Sequence, residues 1–311
     1  MPISASEHTD LGLNLPTPVE INGRGNFDAK IGLDHPGDHI YKPCAEAELV
    51  IESTQGSFYS FQHWQESVFY PGTTRKVAAY VPNVTPETEL DVIIFNDGAA
   101  YASLQGSVRA TRVLDNLLHR GEINPTLAIF VNPGTPTRRE FSYPGAGYDP
   151  QAAQRSEEYD VISPRYGNFL QDAVIPFVAD SLNVRISSDP ARRTLCGISS
   201  GGICAFSSAW FHPQSFQRVI SHCGSFTNIR GGHNYPYMVQ TTDRKPLRVY
   251  LQSGKNDIQT LFGHWPTANM AMAKALEYAG YDSRFEFGQG GHTLRHAGAH
   301  FAETLRWLWR D

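Results

Sequence analysis

The chain has 311 residues, 41% of them hydrophobic, with a formal net charge of -5. That content supports a large buried core and excludes a disordered chain. The acidic balance, with basic residues only in short pairs such as Arg138-Arg139 and Arg192-Arg193, argues against a nucleic-acid partner, and no apolar run is long enough to span a membrane.

Residues 1 to about 45 are polar and rich in Gly and Pro, and read as an extended N-terminal arm. They lack a basic stretch followed by an apolar one, so no secretory signal is expected and the expected compartment is the cytoplasm. From 46 to 311 the pattern fits a single catalytic-size domain. Glu48 to Thr54, Ser57 to Gln62, Ser67 to Tyr70 and Arg75 to Val81 mix alternation with β-branched and aromatic residues, which predicts antiparallel strands at one edge. Asp91 to Phe95 and Leu127 to Val131 are continuous apolar runs, as expected of strands buried on both faces. Val108 to His119 between them has helical spacing. A helix follows at Tyr166 to Leu182, then a strand at Thr194 to Gly197 and a helix from Ser199 to Phe211. Strands at Arg218 to Ser221 and Val249 to Gln252 precede a helix at Ala268 to Ala279. A strand at Ser283 to Phe287 and a helix at Ala297 to Trp309 close the chain. Strands alternating with helices predict a mainly parallel sheet covered on both faces, an α/β class. The cysteines at 44, 196, 204 and 223 form no C-x-x-C pair, so neither a zinc knuckle nor a redox pair is indicated.

The chemistry concentrates in Gly197-Ile198-Ser199-Ser200-Gly201. This fits G-x-S-x-G between a strand and a helix, the setting in which a serine is exposed on a tight turn. Ser199 is the candidate nucleophile, with Ser200 the competitor. The helix N-terminus offers partial positive charge, and the Ser200 N–H can face an oxyanion. A serine needs a base and the base an orienting acid, in the chain order Ser, Asp, His for an α/β hydrolase. Asp257 follows the strand ending near Gly254 and is the candidate acid; Asn256, Asp243 and Asp282 are poorer alternatives. His292, in the loop Gly290-Gly291-His292, is the candidate base. Gly98 and Ala99, after the strand ending at Phe95, are candidates for the second oxyanion donor. His292, His296 and His300 are spaced by four, as in a metal-ligand array, but the glycines before His292 place it in a loop; no metal is assigned.

These segments resemble the esterase D and enterochelin-esterase-like branch of α/β hydrolases, from roughly Glu66 onward. The resemblance is carried by Phe95-Asn-Asp-Gly98, Arg138-Arg139-Glu140-Phe141, Gly197 to Gly202, Gly254-Lys-Asn-Asp257 and Gly290-Gly-His292. It implies an α/β-hydrolase fold and a triad of Ser199, Asp257 and His292. Arg139 matches the branch's R-E-[FY] loop near the active site. Ser221 to Phe226 matches its S-G-S-F strand end, with Cys223 where serine is usual. No separate N-terminal domain like that of the longer enterobactin esterases is evident.

The expectation is a serine esterase acting on a small or aryl ester without metal or organic cofactor. The segment Thr227 to Lys245 is read as a cap over the site, with Tyr235, Tyr237 and Trp265 lining a pocket. Transfer to an alcohol instead of water, a binding protein on a hydrolase scaffold, and self-association into a homo-oligomer all stay open.

Overall fold

The computed structural model describes residues 35–48, 55–65, 68–137 and 150–310. Among the described residues the main sheet has ten strands, two of them two-residue strands at Thr135–Pro136 and Arg185–Ile186, and eight form its main run: β1 (Ser57–Trp64), β2 (Thr73–Val81), β3 (Glu89–Asn96), β4 (Thr126–Val131), β5 (Arg193–Ile198), β6 (Arg218–His222), β7 (Arg248–Gly254) and β8 (Asp282–Gly288). Their spatial order is β1-β2-β4-β3-β5-β6-β7-β8, antiparallel through β1, β2 and β4 and parallel from there on. This is the mainly parallel sheet expected from the alternating pattern, in the α/β-hydrolase arrangement that the resemblance implies. The continuous apolar runs do form the interior strands: all of β4, and β3 beyond its first residue, are buried. The edge strand β1 is mostly exposed.

The longer helices are α1 (Gly98–Ala102), α2 (Ala110–His119), α3 (Pro150–Tyr159), α4 (Arg165–Phe169), α5 (Ile175–Leu182), α6 (Ser200–Phe211), α7 (Tyr235–Thr241), α8 (Trp265–Tyr278) and α9 (Leu294–Trp309). A π turn at Leu170–Val174 joins α4 to α5. Each sheet face has its own core. Phe169, Phe206, Phe216 and Tyr235 pack on one side, and Phe95, Phe130, Tyr101 and Phe301 on the other.

Three sequence expectations change. Val68 to Tyr70 bends and is not a strand; Ser67, and 49–54 of the segment beginning at Glu48, lie outside the described residues, while Glu48 itself ends a short helix. The helix expected from Ala268 starts at Trp265, because the His264 side chain accepts from the Thr267 N–H and Pro266 occupies the first turn, where its missing N–H costs nothing. The last helix starts at Leu294 rather than Ala297, capped by the Thr293 hydroxyl. Helix α3 was not anticipated at all.

The described part of the N-terminal lead-in is tied down. Asp38 Oδ1 accepts from the Gly291 N–H at 3.1 Å and from the Thr293 hydroxyl at 2.9 Å. The Tyr41 ring stacks on His296 at 4.1 Å. Residues 35–41 therefore brace the loop that carries His292.

Candidate active site

The C-terminal ends of parallel strands are where ligands bind in open α/β sheets, and three non-glycine residues there hold left-handed backbone. Asp97 follows β3 with φ 53°, Ser199 follows β5 with φ 58°, and Cys223 follows β6 with φ 47°. Strain of this kind persists only where the surroundings fix it. For Ser199 (ψ −124°) the surroundings are the first turn of α6 and the neighbouring strand. Its N–H donates to the His222 carbonyl at 2.9 Å, and its carbonyl receives the Gly202, Ile203 and Ser225 N–H groups. Gly197 is required for the turn: a Cβ there would lie 2.2 Å from the Gly201 carbonyl oxygen.

Asp257 and His292 meet across a sequence gap of 35 residues. Asp257 Oδ1 and His292 Nδ1 are 2.5 Å apart, both side chains fully buried. The same carboxylate receives the Ile258 N–H and the Ser253 hydroxyl, each at 2.8 Å. The bonds fix its orientation and leave His292 Nε2 facing away, buried and without a hydrogen-bond partner among the described residues. The Ser199 hydroxyl is instead 3.2 Å from Ser225 Oγ. The structure thus brings together the acid and base anticipated from sequence, and shows the serine hydroxyl resting on Ser225, a partner that was not anticipated.

The anticipated oxyanion donors divide. Ser200 is the first residue of α6, where N–H groups point outward from the helix end. Ala99 is corrected: its N–H is taken by Asn132 Oδ1 at 3.0 Å. Gly98 is the position left in that turn, and it must be glycine because a Cβ would lie 2.5 Å from the Phe130 backbone. The turn is anchored from α3. Arg155 grips Asp97 in a two-pronged bond, Nε–Oδ1 2.9 Å and Nη2–Oδ2 2.7 Å, with both groups buried. Burial raises the Asp97 carboxyl above the usual range, and the Arg155 charge pulls it back down. Three residues further on, Glu158 pairs with Arg75 at 2.6 Å, again buried. Asp160 at the end of α3 is fully buried near the Ser200 and Ser156 hydroxyls, and burial pushes its carboxyl up.

Of the expected pocket residues, Trp265 is 1% exposed and its ring stands edge-on to His292 at 5.9 Å and 88°. It packs with Ile229, Ile258 and Phe262 into a small apolar cluster beside the base. Tyr237 is corrected: it is 70% exposed on α7. Its neighbour Tyr235 is the inward-facing one, packed on Phe206 with its hydroxyl 2.6 Å from Ser207. Arg139 lies outside the described residues. Ser225 could have been suspected from the Gly224-Ser225-Phe226 strand end. Asp38 and Arg155 carry no local signal, since their partners are remote in sequence.

The chain matches the family described as "Putative esterase" over residues 70–308. It belongs to that family. A curated relative, the iron(III) enterobactin esterase of Dickeya dadantii (strain 3937), is 28% identical over 155 residues, which cover 45% of this chain and 34% of that protein. The match therefore spans about a third of the relative's length. Among solved structures, a ferulic acid esterase superposes with a TM-score of 0.61 at 16% identity, covering 82% of this chain and 99% of that one. The enterobactin esterase of Shigella flexneri, in the presence of enterobactin, gives a TM-score of 0.61 at 17% identity over 89% of this chain and 62% of that one. At such identities the likeness is one of fold. No helix among the described residues is long and apolar enough to cross a membrane.

Proposed function

We propose that this esterase-family chain is a serine hydrolase of carboxylic esters that works through an acyl-enzyme on Ser199. The observation that carries the reading is the buried 2.5 Å bond between Asp257 and His292 beside the left-handed Ser199 turn. Asp257 holds the proton of His292 on Nδ1, which leaves Nε2 as the basic nitrogen. Rotation of the Ser199 hydroxyl from Ser225 toward Nε2 gives the nucleophile its base. Attack on an ester carbonyl moves the serine proton to His292, and the imidazolium is stabilised by Asp257. The oxyanion is received by the Ser200 and Gly98 N–H groups, with the α6 dipole behind Ser200. His292 then protonates the leaving alcohol, and a water repeats the attack on the acyl-enzyme with His292 as base. No step requires a metal or organic cofactor.

The apolar group of Trp265, Ile258, Ile229 and Phe262 beside the base favours a flat or apolar acyl or alcohol part. Small and aryl esters are therefore the first substrates to try. Relatives named for ferulic acid and for enterobactin support the same choice. Transfer to an alcohol would be seen as a second product when competing alcohols are added.

The test is hydrolysis of p-nitrophenyl acetate and butyrate by the wild type and Ser199→Ala, with intact-mass detection of a fluorophosphonate adduct. The expected result is one adduct on the wild type, none on the variant, and a rate loss on the order of 1,000-fold or more. Activity that survives in Ser199→Ala would falsify the assignment. A wild type with neither activity nor adduct favours a binding protein on a hydrolase scaffold.

A further inference from the structure

Beyond the His292 loop, a second group of ligating side chains comes together. His296 and His300 are four apart on α9, and that spacing puts both rings on one helix face. Glu286 faces them from β8, where it pairs in register with Gln252 of β7. One potential ligand atom from each of the three lies within 4.8 Å of the others.

The ring geometry supports more than proximity. The His296 and His300 centroids are 5.1 Å apart at 71°. Two imidazoles bound to one ion through metal–nitrogen bonds of about 2.0–2.1 Å place their centroids about 5 Å apart. The Tyr41 ring stacks on His296 and meets His300 edge-on at 6.2 Å, which holds the pair in this arrangement. Gln252 Nε2 lies 2.9 Å from His296 Nδ1, so Nε2 is the ring nitrogen left for an ion. Gln252 Oε1 is buried without a hydrogen-bond partner among the described residues. Turning that amide over lets Oε1 accept from Nδ1–H, the outer contact that a metal-bound imidazole characteristically makes. Arg284 reaches only Oε2 of Glu286, at 3.4 Å.

We propose that Glu286, His296 and His300 form a binding site for a divalent ion of the zinc class. Two imidazoles and a carboxylate are the donors such an ion takes, with a water in the fourth position. The sequence assigns no metal because the glycines set His292 apart in a loop and no acidic partner for the other two histidines is evident. In the structure His292 turns to Asp257, and Glu286 stands as the third group. The ligands come from β8 and α9, the two elements that flank residues 289–293. An ion there ties together both ends of the loop that carries His292. A second trio, Cys223, Asp257 and His292, is equally close, but there the acid and base already bond each other.

The test uses the full, untagged chain stripped with EDTA. Zinc binding is measured by calorimetry, Co2+ by its visible absorption, and thermal unfolding with and without zinc. One ion per chain, tetrahedral Co2+ bands and a Tm raised by a few degrees are expected. His300→Ala and Glu286→Gln should each weaken binding by about tenfold or more and abolish the Tm shift. Ester hydrolysis without zinc should stay within about twofold of wild type in both. Absence of saturable binding by the wild type overturns the proposal, as does binding that is equal in His300→Ala. Binding is read without any ester, so this result is independent of the Ser199 assignment.

Discussion

Around His292 the backbone is held by side chains from distant parts of the chain, whereas the strained backbone at Ser199 is held by main-chain bonds to a helix end and a neighbouring strand, with one buried ion pair bracing the Gly98 turn beside it. Asp38 reaches Gly291 and Thr293, Tyr41 receives the Gln289 N–H at 2.8 Å, and the Asn256 amide donates to the Gln289 carbonyl at 2.6 Å. Cys223 Sγ adds a weak contact to the Gly291 carbonyl at 3.7 Å. The Ser199 half is held by the β5–α6 turn and by Arg155 gripping Asp97 beside Gly98. The ties on the His292 loop are spread over several hydrogen bonds, some buried and some exposed, so the loss of one is shared among the rest, while loss of a single buried charge pair is costly in one step.

That contrast is broken most severely at Arg155. Arg155→Met leaves the buried Asp97 charge unpaired, and about 3–5 kcal/mol of stability is expected to go with it. Urea unfolding measures that loss. In the fraction that folds, kcat should fall more than KM rises, because the Gly98 turn carries the oxyanion donor of the proposed mechanism. Arg155→Lys should be intermediate, keeping the charge and losing the two-pronged geometry. Wild-type stability in Arg155→Met would mean that the nucleophile half does not depend on this pair.

His222 lies between the halves, on β6 just before Cys223, with Nδ1 2.9 Å from the Tyr101 hydroxyl and Nε2 buried without a partner among the described residues. Burial, helped by His296, lowers its pKa from 6.5 to about 3. A neutral buried imidazole gives its full stabilisation above the unfolded value. As pH falls below 6.5 the unfolded chain takes a proton that the folded chain refuses, so stability drops until about pH 3. A few kcal/mol ride on this one group. In His222→Gln the slope of unfolding free energy against pH between those limits should lessen by up to one proton. An unchanged slope would place the acid sensitivity elsewhere.

A smaller effect is expected at the other half. Asp38→Ala removes two hydrogen bonds from the His292 loop, and kcat should fall about tenfold with KM little changed. Asp38→Asn keeps Oδ1 as an acceptor and should be nearly wild type. If alanine and asparagine behave alike, the carboxylate's charge matters and the bracing account fails.

The same contrast explains what could be read from sequence. The buried strands, and the strand-end turn or loop on which each of the candidates Ser199, Asp257 and His292 lies, are legible because each has a local signature: an apolar run, a glycine-flanked serine, a polar loop after a strand. Their supports are not. Asp38 meets Thr293 across 255 positions, and Arg155 meets Asp97 across 58. An isolated aspartate in a polar lead-in looks like any surface residue. Helix α3 was missed for a related reason: Arg155 and Glu158 are charged yet buried, so its inward face lacks the apolar stripe by which helices are recognised. Ala99 looked as good a donor as Gly98 because the competing acceptor, Asn132, is on another strand's end.

The finest test is at Ser225, where the Ser199 hydroxyl rests 3.2 Å from Ser225 Oγ while His292 Nε2 has no partner among the described residues. Two arrangements compete for one hydroxyl, and the resting one must be left before attack. A neutral hydrogen bond of about 0.5–1.5 kcal/mol corresponds to roughly two- to twelvefold in rate. Ser225→Ala removes the resting partner, so fluorophosphonate labelling of Ser199 should accelerate within that range, with the adduct still at Ser199. Slower labelling would reverse the reading: Ser225 would then be helping to form the alkoxide, and the nucleophile half would rely on a side-chain hydroxyl as well as on backbone strain. Because alanine fits the same space and Ser225 carries no charge, a change in either direction reports on the hydroxyl itself and not on the fold.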